Sequence, residues 1–340
     1  MNESDVIKPV NQFLVHSGVQ HPIIGGPMYP CSNPELVAAI SNAGALGIVQ
    51  PLSLTYVYGH DFVKGLELIR RLTAKPVGMN ALIENSSKRY LSVMQQWVDL
   101  ALEHDIRFFI TSLGKPDWVV EAVHAAGGVV YHDATEAKWA KKGLDCGVDG
   151  LIAVNNRAGG HAGERDWQQL YDELKQFNVP VVCAGGIASR ENYHQALNIG
   201  YSAVQMGTVF IATDECQVSD SYKRAIVTAE QEDVVLTQNM TGVSVSIIKP
   251  KNAKSVETHP LLAKLLKANW SKHWMRFLLS LRSLRRLKKM ITDDNGDVEI
   301  WQAGKSVADI HEVRPVAQII ASFTDDRPLK SPAEVAKSAK

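Results

Sequence analysis

The chain has 340 residues and a mass of 37.4 kDa, with 45% hydrophobic and 21% charged residues; this balance supplies a large apolar core and excludes disorder as the main state. Lys+Arg and Asp+Glu each number 36, so the formal net charge is zero and the chain lacks the bias of a nucleic-acid binder. The four cysteines, Cys31, Cys146, Cys183 and Cys216, form no CxxC pair, which argues against a zinc site or a disulfide framework and for a reducing cytoplasm. The opening stretch MNESDVIKPVNQFLVHSGVQ has no basic start followed by an apolar run, so no signal peptide is expected. No segment reaches the roughly 18 uninterrupted apolar residues that a bilayer crossing requires, so no membrane insertion is expected either.

From residue 21 onward, short β-branched runs alternate with longer amphipathic segments, the pattern of parallel strands returned by crossover helices. Strands are expected over 21–28 (HPIIGGPM), 45–51, 75–83, 108–114, 128–134, 150–156, 179–186 and 203–208, and helices over 33–43, 61–72, 87–104, 116–126, 135–146, 166–177 and 189–199. Leu91, Met94, Val98 and Leu102 illustrate the helical spacing of apolar residues. Plausible helix starts are Ser32 or Asn33 before Pro34, Lys115-Pro116-Asp117, and Ser189 ahead of Glu191 and Asn192. Eight such units point to an α/β fold, a closed (β/α)8 TIM barrel. A doubly wound open sheet fits less well, because the first turn, GGPMYPC, is not of the GxGxxG kind. Residues 214–300 show no convincing strand and are expected to form an added, mainly helical cap. Residues 301–323 are expected to resume an amphipathic helix that completes the barrel domain (1–213 plus 301–323), and 324–340 form a polar tail.

In such a barrel the chemistry lies at the C-terminal ends of the strands, and the loops after strands seven and eight often hold a phosphate. Here those loops read Ala184-Gly185-Gly186-Ile187 and Gln205-Met206-Gly207-Thr208. Side-chain-free backbone can approach an anion closely there, and a helix start can aid it. Each loop alone could be only a tight turn; together, at consecutive strand ends, they favour a phosphate site. After strand six comes Asn155-Asn156-Arg157-Ala158-Gly159-Gly160-His161-Ala162-Gly163. The glycines around His161 make a pliable loop that holds no core, so this histidine, unlike His124 and His194 in helical segments, reads as a functional base or acid near neutral pH.

These elements together resemble the nitronate monooxygenase family, formerly called 2-nitropropane dioxygenases, which shares its fold with flavin-dependent enoyl-acyl-carrier-protein reductases. The matching stretches are HPIIGGPM at 21–28, SNAGALGIV at 41–49, Asn80 in GMNALI, AGGHAG at 158–163, VPVVCAGGIAS at 179–189 and ALNIGYSAVQMGTVFIAT at 196–213. Weaker matches continue through 241–247 and 303–320. The resemblance implies non-covalent FMN at the barrel mouth, and FMN in preference to FAD because the loops offer one phosphate cradle and no dinucleotide fingerprint is present. By the same resemblance Pro27 and Met28 line the flavin, Asn80 bonds its ring or ribityl chain, and Gly159 lets backbone approach it. Gly185, Gly186, Gly207 and Thr208, with Gln205 and Met206 beside them, cradle the phosphate, and His161 matches the family's catalytic histidine.

The chain departs from the family at Val154-Asn155-Asn156-Arg157, where the usual pattern is Gln-Gly-x-Glu, and at His132-Asp133, where some relatives carry a lysine near the flavin. Arg157 either compensates with its permanent charge or lies on the surface. Cys31 and Cys183 read as buried small hydrophobes rather than reactive thiols, and no metal is expected, since no His and Asp/Glu spacing suits one. Leu261–Met290 holds nine Lys or Arg and no acid, while Trp270, Trp274, Phe277, Leu281 and Leu284 share a helical stripe. This reads as a docked helix with a solvated basic face. The implied activity is oxidation of alkyl nitronates with O2 to a carbonyl compound and nitrite, with His161 as base. The alternatives are an NAD(P)H-dependent FMN reductase of enoyl thioesters or quinones, and a ligand-binding barrel without turnover. The partners are a small-molecule substrate and O2, and a homodimer stays open.

Overall fold

A parallel strand can rejoin its neighbour only through a long return, and in the computed structural model of the chain each of eight strands has one. Residues 10–84, 87–237, 245–249, 288 and 301–325 are described. Strands β1 (Ile23–Gly25), β2 (Leu46–Val49), β3 (Val77–Ile83), β4 (Phe108–Leu113), β5 (Val129–Ala134), β6 (Gly150–Val154), β7 (Val181–Ala184) and β8 (Ala203–Met206) pair in chain order. The sheet closes where Ile24 of β1 registers with Gln205 of β8. The returns are α2 (Pro34–Asn42), α3 (Phe62–Leu72), α4 (Lys88–Glu103), α5 (Asp117–Ala125), α6 (Ala137–Leu144), α7 (Trp167–Leu174) and α8 (Arg190–Ile199). The chain therefore folds as the expected (β/α)8 barrel. Ser189 caps α8 by accepting from Asn192 N–H. Asn33 precedes α2 without capping it, because its Oδ1 accepts from Gln217 N–H instead, while its amide donates to Glu35 and the Glu215 carbonyl.

A short helix that the periodicity does not reveal, α1 (Gln12–Ser17), precedes the barrel. Asn11 caps it, Gly18 ends it in the left-handed region, and the Asn11 amide ties it to the Ser202 carbonyl at the base of β8. Phe13 is thereby driven into the barrel's lower end, where it is 0% exposed and meets Phe108 and Tyr131 edge-on at 5.9 and 6.1 Å. Above this plug the interior is filled by Ile24, Leu46, Ile48, Ile110 and Ile152.

Beyond the barrel lie α9 (Thr208–Ile211), α10 (Asp220–Thr228), β9 (Val234–Thr237), β10 (Val245–Ile248), β11 (Trp301–Gln302) and α11 (Val316–Thr324). Two expectations are corrected. Residues 214–300 do contain strands: β10 pairs antiparallel with β9 (Ile248 opposite Val234) and with β11 (Ile248 opposite Trp301). The β-branched runs VVLT and VSII are short enough to be read as coil, yet together they bury a face. Residues 301–323 are not one helix either, since a 3-10 turn at Lys305–Asp309 intervenes and the helix starts only after Pro315. The aromatic stripe 270–284 and most of the basic stretch lie outside the described residues. The Lys288 ammonium donates to the Tyr56 carbonyl at 2.7 Å and sits 4.7 Å from the Tyr56 ring centroid.

If Phe13 plugs the barrel, Phe13→Ala leaves a cavity that the rigid strands cannot close. The expected loss is about 3–5 kcal/mol of folding stability, measured by denaturant titration.

Candidate active site

Successive strand residues face opposite ways, and the packing shows which way each one points. Met79 and Ala81 lie in the layer between barrel and helices, as do Val130 and Ala134, and Val204 and Met206. Asn80, Asp133 and Gln205 are the alternates and face the barrel axis, capping the apolar interior with a polar floor. Asn80 is 6% exposed. Met206 turns the other way into the core, so it does not cradle a ligand with its side chain; only its backbone remains near the mouth. A buried polar atom without a partner is costly. Three such atoms gather around the mouth: Asp133 Oδ1, Gln205 Oε1 and Arg157 Nε have no hydrogen-bond partner among the described residues. Burial pushes the Asp133 carboxyl up to about 7.

The turn after β6 is built around Asn155, which is fully buried. Its Oδ1 accepts from Arg157 N–H at 2.8 Å, its amide donates to the Gly185 carbonyl at 3.0 Å, and its own N–H donates to the Ala184 carbonyl. Arg157 is not a free surface residue, since its guanidinium carbon lies 5.3 Å from the Trp167 ring centroid. The glycine loop that follows is held rather than pliable. Ser246 N–H of β10 donates to the Gly160 carbonyl and Lys305 N–H donates to the Arg157 carbonyl, both at 2.9 Å. Gly159 allows a close approach to Gly304: a Cβ on Gly159 would lie 3.0 Å from Gly304 N, and one on Gly304 would lie 2.7 Å from the Arg157 carbonyl oxygen. His161 leaves this pinned loop exposed to solvent, yet the surrounding protein lowers its pKa by desolvation. Desolvation favours the uncharged imidazole there.

After β7, Gly185 and Gly186 have φ of +117° and +83°, which other residues rarely adopt. A Cβ on Gly185 would strike Ala158 N and Asn155 Oδ1, and one on Gly186 would strike Arg157. The pair is therefore required first to seat the β6 turn. After β8, a Cβ on Gly207 would meet the flexible Met28 side chain, Sδ at 3.3 Å and Cγ at 3.6 Å, which would have to give slightly. The Thr208 hydroxyl accepts from Gly304 N–H at 2.9 Å and keeps its own hydrogen to donate. Among the described residues no hydrogen bond takes up the backbone N–H of Gly186 or Gly207. Pro27 and Met28 flank the same side of the mouth after β1, Met28 fixed through Ser32 and Ser53. Cys31 and Cys183 are buried, and their thiols are pushed up, Cys183 to about 12. Among the described residues no group of His, Cys, Asp or Glu could hold a metal, and no helix is long and apolar enough to cross a membrane.

The family model for nitronate monooxygenase matches residues 12–326. The chain belongs to the nitronate monooxygenase family. It is 28% identical over 273 residues to the nitronate monooxygenase of Pseudomonas aeruginosa, covering 67% of this chain and 76% of that one. It is 30% identical over 241 residues to a Rhodococcus jostii protein named (3aS,4S,5R,7aS)-5-hydroxy-7a-methyl-1-oxo-octahydro-1H-indene-4-carboxyl-CoA dehydrogenase, the match covering 71% of this chain and 66% of that relative's length. Among solved structures, FabK from Thermotoga maritima superposes with a TM-score of 0.75 at 26% identity, covering 97% of this chain and 99% of that one. A nitroalkane oxidase from Streptomyces ansochromogenes shares the fold at TM-score 0.71 and 21% identity, covering 94% and 97%.

Residues missed by reading the sequence are Asn155, Ser246 and Gly304, which position the histidine loop from three separate stretches. Gly304→Ala should push the loop outward and relieve the desolvation of His161. Its pKa, followed by NMR, should rise back toward 6.5 while the barrel's circular dichroism is unchanged.

Proposed function

We propose that the chain is an FMN-dependent oxidoreductase that oxidises alkyl nitronates with O2 to a carbonyl compound and nitrite. The observation that carries this is His161, an exposed imidazole on the pinned loop after β6 whose pKa desolvation lowers. The residues present fit FMN. The free N–H groups of Gly186 and Gly207 and the Thr208 hydroxyl suit a phosphate, while Asn80 and the unpartnered Gln205 suit the polar edge of a ring flanked by Pro27 and Met28. Gly185 and Met206 contribute by shaping backbone, and Gly159 by seating the loop. Bound FMN supplies the electron acceptor. His161, already deprotonated at pH 7, accepts the α-proton of a neutral nitroalkane; a nitronate arrives ionised and needs no base. Because desolvation lowers the His161 pKa, the base form persists below pH 6.5, and kcat/KM for nitroalkanes should fall only at a pH under that ordinary value.

A second reading, oxidation or reduction of an acyl thioester, is favoured by the name of the Rhodococcus jostii relative and by Lys288, a cation that reaches the Tyr56 carbonyl in the turn after β2. Both readings use the same mouth. Anaerobic mixing of the yellow protein with propionate-3-nitronate and, separately, with NADH separates them by which one bleaches the flavin. In the first reading His161→Asn abolishes oxidation of neutral nitroalkanes and leaves nitronate oxidation reduced but measurable, with flavin still bound. Equal small losses on both substrates would remove His161 as the base.

The phosphate cradle is best tested at Gly207, since a side chain at Gly185 would disturb the β6 turn itself. Gly207→Asp asks only the flexible Met28 side chain to give slightly and sets a carboxylate against the phosphate. It should purify folded and largely depleted of FMN, read from the flavin-to-protein absorbance ratio.

A further inference from the structure

Asp133 is not used by the chemistry above. Its side chain lies on the inward face of β5, in line with Tyr131 below it, at the level where the apolar interior ends. On β4 the inward neighbour is Ser112, and on β6 the neighbours are Ile152 and Val154; neither strand brings a charged side chain against the carboxyl. The loop after β6 adds Arg157, turned onto Trp167, and His161, whose pKa desolvation lowers. Tyr131 directs its hydroxyl downward to His16 at 3.1 Å, away from the floor. Asp133 Oδ1 is buried and unpartnered, so among the described residues this is an acid aimed into the mouth with no cation paired to it. Such a group responds to the charge of whatever covers it: negative charge arriving above it drives it to bind a proton.

We infer that Asp133 is the proton-holding group of the barrel floor and takes up one proton from solvent when the cofactor above it is reduced. The inference rests on the FMN reading. Two electrons from the reductant and one proton go to the cofactor, and a second proton goes to the Asp133 carboxylate, so the floor and its ligand together keep their charge close to constant. Desolvation, which already lifts this carboxyl to about 7, places the exchange in the working range of pH.

The test is a reduction titration of the FMN-loaded protein with dithionite at several pH values, for the parent chain and Asp133→Asn. In the parent, two protons per two electrons should make the equilibrium constant for reduction change a hundredfold per pH unit at pH above about 7, where the oxidised protein holds Asp133 ionised, and the slope should fall toward tenfold at lower pH. In the variant the change should be tenfold, a difference of about 30 mV per pH unit for a two-electron couple. Reduced-minus-oxidised infrared spectra give a second readout that requires no variant to fold: the carbonyl stretch of a protonated carboxyl should appear on reduction of the parent. Equal slopes in the two proteins, or no such band, would overturn the assignment while leaving FMN binding intact. A chain that stays colourless when mixed with FMN would overturn the cofactor reading, and this inference with it.

Discussion

One buried amide organises the catalytic side of the barrel. Asn155 has no water around it, so each of its polar atoms must be matched inside the protein, and the matches bind the end of β6 to the end of β7. Satisfying its carbonyl bends the chain at Arg157, and satisfying its amide fixes the Gly185 carbonyl. The positive φ angles of Gly185 and Gly186 follow, since no side chain could stand where Ala158 and Arg157 now pack. His161 is positioned at the far end of this set of constraints.

Burial acts in opposite directions on the two titratable groups of the mouth. It lowers the imidazole and raises the carboxyl, because in each case it disfavours the charged form. Both shifts reduce the charge these two side chains carry near neutrality. Such a mouth suits a substrate whose own charge changes during reaction, and it leaves hydrogen bonding rather than ion pairing to orient the ligand.

The barrel was legible because each strand and helix carries its own periodicity; Val181-Val182-Cys183-Ala184 reads as a buried strand whatever surrounds it. The strand-end motifs were legible for a related reason, since Gly-Gly and Gly-Thr at consecutive strand ends bear a local meaning. What escaped was non-local. Asn155 looked like a departure from a family pattern and proved to be the pin of the turn. The approach of Gly159 to Gly304, 145 positions further on, leaves no trace in the local sequence. The strands Val234–Thr237 and Val245–Ile248 are too short to be read alone and gain their stability from each other. Asp133 was visible as an acid in an apolar strand, GVVYHDA, but its lack of a partner is a property of three dimensions.

The dependence of the histidine loop on Ser246, Gly304 and Lys305 sets an order of assembly. During synthesis the eighth strand emerges well before Gly304, so all the hydrogen bonds that close the barrel can form while the loop after β6 still lacks its clamps. The scaffold can thus be complete at a stage when His161 is not yet in place. A nascent or C-terminally shortened chain would carry a closed barrel without an ordered His161, and the capacity for chemistry would arrive only with the last tenth or so of the polypeptide.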